Sequence, residues 1–121
     1  MSMKPQFNAV VSEKAQEKTY YTDIGAGWVQ KGDEGINVRL IPQIATNKFT
    51  LFSAKDSSVS KIADRLNVCV VEESDGKSYW HVVGTAFYFD NSGHSGYNVV
   101  GKGGLTLSGM LHLQIPKAKE D

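Results

Sequence analysis

Three histidines, one cysteine and a scatter of carboxylates are the residues here with the means for acid–base, nucleophilic or metal chemistry. Their spacing assembles none of it. His81, His94 and His112 recur at no ligand interval, and Cys69 lies inside the apolar run Val68–Val71, so neither a metal site nor a Cys–His pair is signalled. The carboxylates Asp33, Glu34, Glu72, Glu73, Asp75 and Asp90 fall in turn-forming stretches, as solvated loop tips do, and not as a facing acid and base. Gly101-Lys-Gly-Gly104 lacks the flanking glycine, the Lys-Ser/Thr ending and the following helix of a phosphate loop, and reads as a turn. No catalytic residue, metal ligand or cofactor site is therefore assigned, and the chain reads as a non-enzymatic binding protein.

Aromatic side chains beside cations are the chemistry that remains. Tyr21, Trp80 and Tyr88, with Lys31, Arg39, Lys77 and Lys102 nearby along the chain, are the candidate binding residues. Planar rings interleaved with positive charge are what single-stranded nucleic acid stacks on in small β barrels. The opposing consideration is that thirteen basic and thirteen acidic residues cancel, whereas a phosphate-gripping domain usually carries a basic excess. Exposed Tyr and Trp on a flat β surface equally suit a protein partner or a homodimer, to which neutral charge is no obstacle. Both expectations stand: single-stranded nucleic acid, or a protein-binding accessory or inhibitory module of the counter-defence type.

The elements that must position these residues are written twice. Lys18-Thr-Tyr-Tyr-Thr-Asp-Ile-Gly-Ala-Gly-Trp28 aligns without a gap on Lys77-Ser-Tyr-Trp-His-Val-Val-Gly-Thr-Ala-Phe87, fifty-nine residues on. The alignment runs back to Phe7 against Leu66, and forward, after a two-residue insertion, to Gly35–Val38 against Gly96–Val99. Alternation at period two predicts long strands over 18–29 and 77–89, with Tyr20, Thr22, Ile24, Ala26 and Trp28 facing inward in the first. In the second the same parity puts Tyr79, His81, Val83, Thr85, Phe87 and Phe89 inward. Shorter strands are predicted at 7–11, 36–41, 49–53, 66–71 and 97–100, with a last one over 105–114 interrupted at Gly109. Polar residues 12–17 are read as the first turn, Lys31–Gly35 and Asp75-Gly76 as hairpin turns, and 57–66 as one short helix from its Val59, Ile62, Ala63, Leu66 spacing.

The expected fold is all-β with that one helix: a duplicated four-strand unit, repeats at about 7–55 and 66–115 joined at 56–65, forming a small barrel or sandwich with pseudo-two-fold symmetry in a single domain. Gly25 and Gly84 recur in mid-strand, where glycine weakens pairing. Either a neighbouring backbone comes close there, or small residues clear a patch beside Tyr21 and Trp80. The sequence has no apolar run long enough for a membrane helix and no hydrophobic stretch near its start. With one unpaired cysteine, it is expected in a reducing, cytoplasmic setting without membrane contact.

The pattern aromatic-aromatic-Thr-x-Ile-Gly-x-Ala-aromatic, then Gly-x-Asn-aliphatic-x-Leu and Pro, is carried by Tyr20, Tyr21, Thr22, Ile24, Gly25, Ala26 and Trp28, then Gly35, Asn37, Val38, Leu40 and Pro42. It resembles the core of a group of small, uncharacterised bacterial and mobile-element proteins, over about a third of this chain. The resemblance implies a bacterial, plasmid or phage setting and no particular activity. The second copy departs from it, with His81 in place of the threonine and no proline after the return strand.

Overall fold

A computed structural model describes residues 5–30, 35–53, 62–91 and 94–116. Eight antiparallel strands close into one barrel in the order β1-β2-β3-β10-β6-β7-β8-β5. The strands are β1 (Phe7–Ala15), β2 (Lys18–Val29), β3 (Gly35–Leu40), β5 (Lys48–Ser53), β6 (Arg65–Ser74), β7 (Lys77–Asn91), β8 (His94–Gly101) and β10 (Met110–Gln114). Two short strands, β4 (Ala45–Thr46) and β9 (Leu107–Ser108), pair with each other apart from the barrel. Closure leaves the barrel wall without an edge.

An eight-stranded barrel has an interior about as wide as side chains can fill, and here apolar ones fill it. Phe7, Ala9, Ile24, Ile36, Val38, Leu40, Phe49, Leu51, Leu66, Val68, Ala86, Tyr97, Val99, Leu111 and Leu113 form one buried cluster drawn from all eight strands. Each fully buried side chain of this kind contributes about 1.5–3 kcal/mol. No buried side-chain polar atom among the described residues lacks a partner. Asn8, Arg39, Lys48 and Asn98 are exposed on the outside, the reverse of the alternation in membrane-spanning barrels. No helix of the described residues is long and apolar enough to cross a membrane.

Strand direction follows from the unbroken antiparallel pairing: β1, β3, β6 and β8 run one way, and β2, β5, β7 and β10 the other. The β1–β2 and β6–β7 hairpins therefore leave the barrel at the same end. The β4–β9 pair belongs to that end as well, since it connects β3 to β5 and β8 to β10. Leu107 of this pair is buried and joins the core.

The pairings repeat. Phe7↔Gly27 and Ala9↔Gly25 in one hairpin match Leu66↔Ala86 and Val68↔Gly84 in the other, fifty-nine residues on. The bulge repeats too: the register shifts between Ala9 and Val10 and again between Val68 and Cys69, leaving Ile24 and Val83 as the extra residues. The strand order maps onto itself when β1, β2, β3 and β5 are exchanged with β6, β7, β8 and β10.

The bulge overturns the expected side-chain parity. One extra residue switches every later side chain to the other face, so Gly25, Gly27 and Val29 line up with the inward Leu40, Val38 and Ile36. Likewise Ala86 and Tyr88 stand opposite the inward Val99 and Tyr97. Phe87, expected inside, is exposed for this reason; Tyr20, Thr22, Tyr79 and His81, also expected inside, precede the bulges and are exposed because the neighbouring strands pair only past them.

Residues 12–15 are strand and not turn; the turn is Gln16–Glu17, with Gln16 at φ 59°. Its counterpart is Asp75-Gly76, where both residues have positive φ, the geometry for which Asp-Gly is suited. Residues 62–64 are not helical and 65–66 are strand; the remainder of the expected helix, like the 31–34 part of a predicted turn, lies outside the described residues. What ties 62–63 to the barrel is Tyr97. Its hydroxyl accepts from the Ile62 amide (3.0 Å) and donates to the Ala63 carbonyl (3.4 Å), while the Asp64 carbonyl accepts from Tyr88 N–H.

Candidate interaction surface: two hairpin arms and the grooves at their roots

β1 pairs with β5 only through Val10, and β2 pairs with β3 only from Gly25 onward. Beyond those points the hairpin is a two-stranded ribbon, residues 11–23, without a barrel neighbour along its strand ladders among the described residues; Ile24, in the core, accepts from the Ile41 amide. The second hairpin repeats this: β6 pairs with β10 only through Cys69, and β7 with β8 only from Gly84. These ribbons are two arms. A two-stranded ribbon is marginal by itself in water, and both of its edges offer backbone groups to an added strand.

The arms carry aromatic side chains in the open. Tyr20 and Tyr21 are 54% and 59% exposed, Tyr79 and Trp80 46% and 53%. The same arms lean acidic: Glu13, Glu17 and Asp23 against Lys14 and Lys18 in one, Glu72, Glu73 and Asp75 against Lys77 in the other. His81 Nε2 lies 2.8 Å from Glu72 Oε1, both well exposed, so the pair contributes little to stability.

At the root of each arm, where it departs from the barrel wall, is an outward-facing groove. The first, about 310 Å³, is lined by Asn8, Val10, Tyr21, Asp23 and Phe52. The second, about 570 Å³, is lined by Asn67, Cys69, Trp80, Val82, Gln114 and Ile115. They occupy equivalent places in the repeated pairing: Asn8 with Asn67, Val10 with Cys69, Tyr21 with Trp80, Asp23 with Val82, Phe52 with Gln114.

The two grooves are furnished differently. In the first, Tyr21 meets Phe52 edge-on with centroids 5.8 Å apart, and Phe52 meets Phe89 at 5.5 Å. In the second, Trp80 tilts over His112 instead, at 5.2 Å and 55°. His112 is held by its Nδ1, 2.8 Å from Asn37 Oδ1; an amide oxygen only accepts, so Nδ1 carries the proton. Asn37 Oδ1 also accepts from Gln30 Nε2 at 2.9 Å. The matching asparagine of the other half, Asn98, accepts from Thr50 at 3.1 Å.

Of the candidate residues, Tyr21 and Trp80 are exposed and occupy equivalent positions on the two arms, and Lys77 is on the second arm. Tyr88 does not join them. It packs inward on Tyr97, with centroids 5.4 Å apart. Arg39 is on β3 and Lys102 in the short turn Lys102–Gly104, neither on an arm, and Lys31 lies outside the described residues. The groove residues Asn67, Val82, Gln114 and Ile115 carry no sequence signal of their own. The arms had one: 12–19 and 72–78 hold polar residues on both parities, so neither face of those stretches was fit for a core.

Cys69 is buried and unpaired, and burial pushes its thiol pKa up. The thiolate is the reactive form, so labelling by a thiol reagent should be slow at neutral pH. It should accelerate only at a higher pH than for a free cysteine, and reach the free-cysteine rate after denaturation. Fast labelling of the native protein at neutral pH would contradict the placement. Among the described residues no cluster of His, Cys, Asp and Glu could hold a metal ion. Comparison with protein-family models, with curated proteins and with solved structures finds no match.

Proposed function

We propose that this is a protein-interaction module that uses its two arms together to hold a partner protein with a basic contact surface. One observation carries the reading: two aromatic, net-acidic ribbons leave the same end of a closed barrel, with no third strand paired to them among the described residues. Ribbons of that kind are stabilised by what they bind, and rings in the open contribute large contact area with little side-chain entropy to lose. Acid on both arms favours a basic protein surface and repels phosphate. The repeated registers and repeated bulge support descent of the two halves from one duplicated unit, and the motif resemblance and lone thiol favour a bacterial or mobile-element protein working in reducing cytoplasm.

The test is photo-cross-linking from each arm. With p-benzoylphenylalanine at Tyr20 or at Tyr79, irradiation in the source cells should give one protein adduct of the same mass from both sites, resistant to nuclease. The pair Glu72→Lys and Glu73→Lys should abolish it, and the same group at Arg65, on the barrel wall, should give none. Nuclease-sensitive adducts, with quenching of tryptophan fluorescence by a thymidine oligonucleotide that weakens as salt rises, would replace the protein partner by single-stranded nucleic acid. Adducts of unrelated mass from the two arms would end the reading of a joint grip.

A further inference from the structure

The second arm closes on a two-residue turn, so Ser74↔Lys77, Glu72↔Tyr79 and Val70↔His81 are the pairs that exchange backbone bonds within it. The N–H and C=O groups of Val71 and Glu73 therefore point away from β7. They are the next two positions on the edge that β10 occupies nearer the barrel, where Gln114 stands opposite Asn67 and His112 opposite Cys69. Ahead of His112 the chain of β10 is off that line, and Gly109, with φ 68°, turns it toward β9. Among the described residues neither Val71 nor Glu73 makes a backbone bond outside its hairpin.

The two arms have four free edges, and three of them carry a lysine: Lys14 on β1, Lys18 on β2 and Lys77 on β7. Lysine on an edge hinders the addition of another strand. The β6 edge has none; it reads Val70-Val-Glu-Glu-Ser74. Cross-strand pairs of opposite charge and of β-branched residues are stabilising. An antiparallel newcomer thus gains most with basic residues opposite Glu73 and Glu72 and aliphatic ones opposite Val71 and Val70. A second copy of this chain is a poor newcomer, since β6 added to itself through both sets of backbone groups would set Glu72 against Glu72.

We infer that residues 70–74 of β6 are a strand-addition site for an extended segment of a partner protein, two basic residues followed by two aliphatic ones, lying antiparallel on the line that β10 leaves. The inference deepens the protein-interaction reading and rests on it for the nature of the partner.

The probe is acetyl-Thr-Lys-Lys-Val-Val-amide, titrated into the full chain and followed by backbone amide shifts. Its lysines face Glu73 and Glu72, and its valines face Val71 and Val70. It should bind weakly, with shifts and slowed hydrogen exchange at the Val71 and Glu73 amides; acetyl-Thr-Glu-Glu-Val-Val-amide should not bind. N-methylation of the first lysine or the first valine, whose N–H groups face the edge, should abolish binding. N-methylation of the second lysine, whose N–H points away, should leave it intact. Glu73→Lys should weaken the basic peptide by about tenfold. Val71→Pro removes an edge N–H that the hairpin does not use, so the fold should stand and binding should be lost; where that variant does not fold, the N-methyl series decides alone. Equal effects of N-methylation at all three positions, equal binding of the acidic peptide, or shifts away from β6 would each overturn the inference. A concentration-dependent dimer abolished by Val71→Pro would overturn it too, in favour of a second copy of this chain on the edge. Failure here with arm cross-links intact removes strand addition and leaves the arms; arm failure with peptide binding intact does the reverse.

Discussion

Tyr97→Ala is expected to destabilise the barrel by about 3–5 kcal/mol, the range for deleting a buried aromatic ring. The ring is 1% exposed and meets Phe7 and Tyr88, with centroids at 6.2 and 5.4 Å. Its hydroxyl reaches out of the core to hold the Ile62 amide and the Ala63 carbonyl. Truncation thus removes core volume and also leaves backbone groups unpaired. Tyr97→Phe separates the two contributions: it keeps the ring and should cost about 1–2 kcal/mol. The loss should be local, with amide hydrogen exchange accelerating at 62–64 before anywhere in the strands. Urea denaturation with an unchanged m-value gives both numbers. A cost for Tyr97→Ala below about 1 kcal/mol, outside the range for such a truncation, would mean that the ring is not the core residue described.

Most of the architecture was legible because closed β structure follows from short alternating stretches and their punctuation. The long strands at 18–29 and 77–89, the Asp75-Gly76 turn and the break at Gly109 all stand where the residue pattern put them. Two things were not legible, and one physical cause accounts for the first. A bulge is a single residue with no composition of its own, yet it flips the facing of everything after it. Counting alternate residues through Ile24 and Val83 therefore turned the later halves of correct strands inside out, sending Phe87 to the core and Tyr88 to the surface. The second was the arms. Alternation tells which face is apolar and not how far the neighbouring strand extends, so the point where β5 and β10 stop pairing could not be read. The grooves exist only because of that stopping point. They assemble Asn67, Val82 and Gln114 from three strands, none marked by spacing.

The paired glycines settle on the closer-packing alternative, which makes a second large effect predictable. A Cβ built on Gly25 would run into the Arg39 carbonyl oxygen and the Leu40 Cα, and one on Gly84 into the Val100 carbonyl oxygen and the Gly101 Cα. These are backbone atoms of the paired strand, unable to rotate away. Gly25→Ala and Gly84→Ala should each therefore cost about 2–3 kcal/mol, near the upper end for inserting one carbon into a packed site. Gly76→Ala, where a Cβ meets nothing and only the positive φ of 76° is at stake, should cost about 1–2 kcal/mol. The two mid-strand sites lie in different hairpins, β2 against β3 and β7 against β8, and share no partner. Their costs should add, and a combined loss of about 5 kcal/mol is enough to unfold a domain of ordinary stability. Equality of the two single effects is the sharper result. It is required if the bulge and the close approach after it are one device used twice, and a tolerated Gly84→Ala beside a damaging Gly25→Ala would show that the repeated pairing is not matched by a repeated packing need.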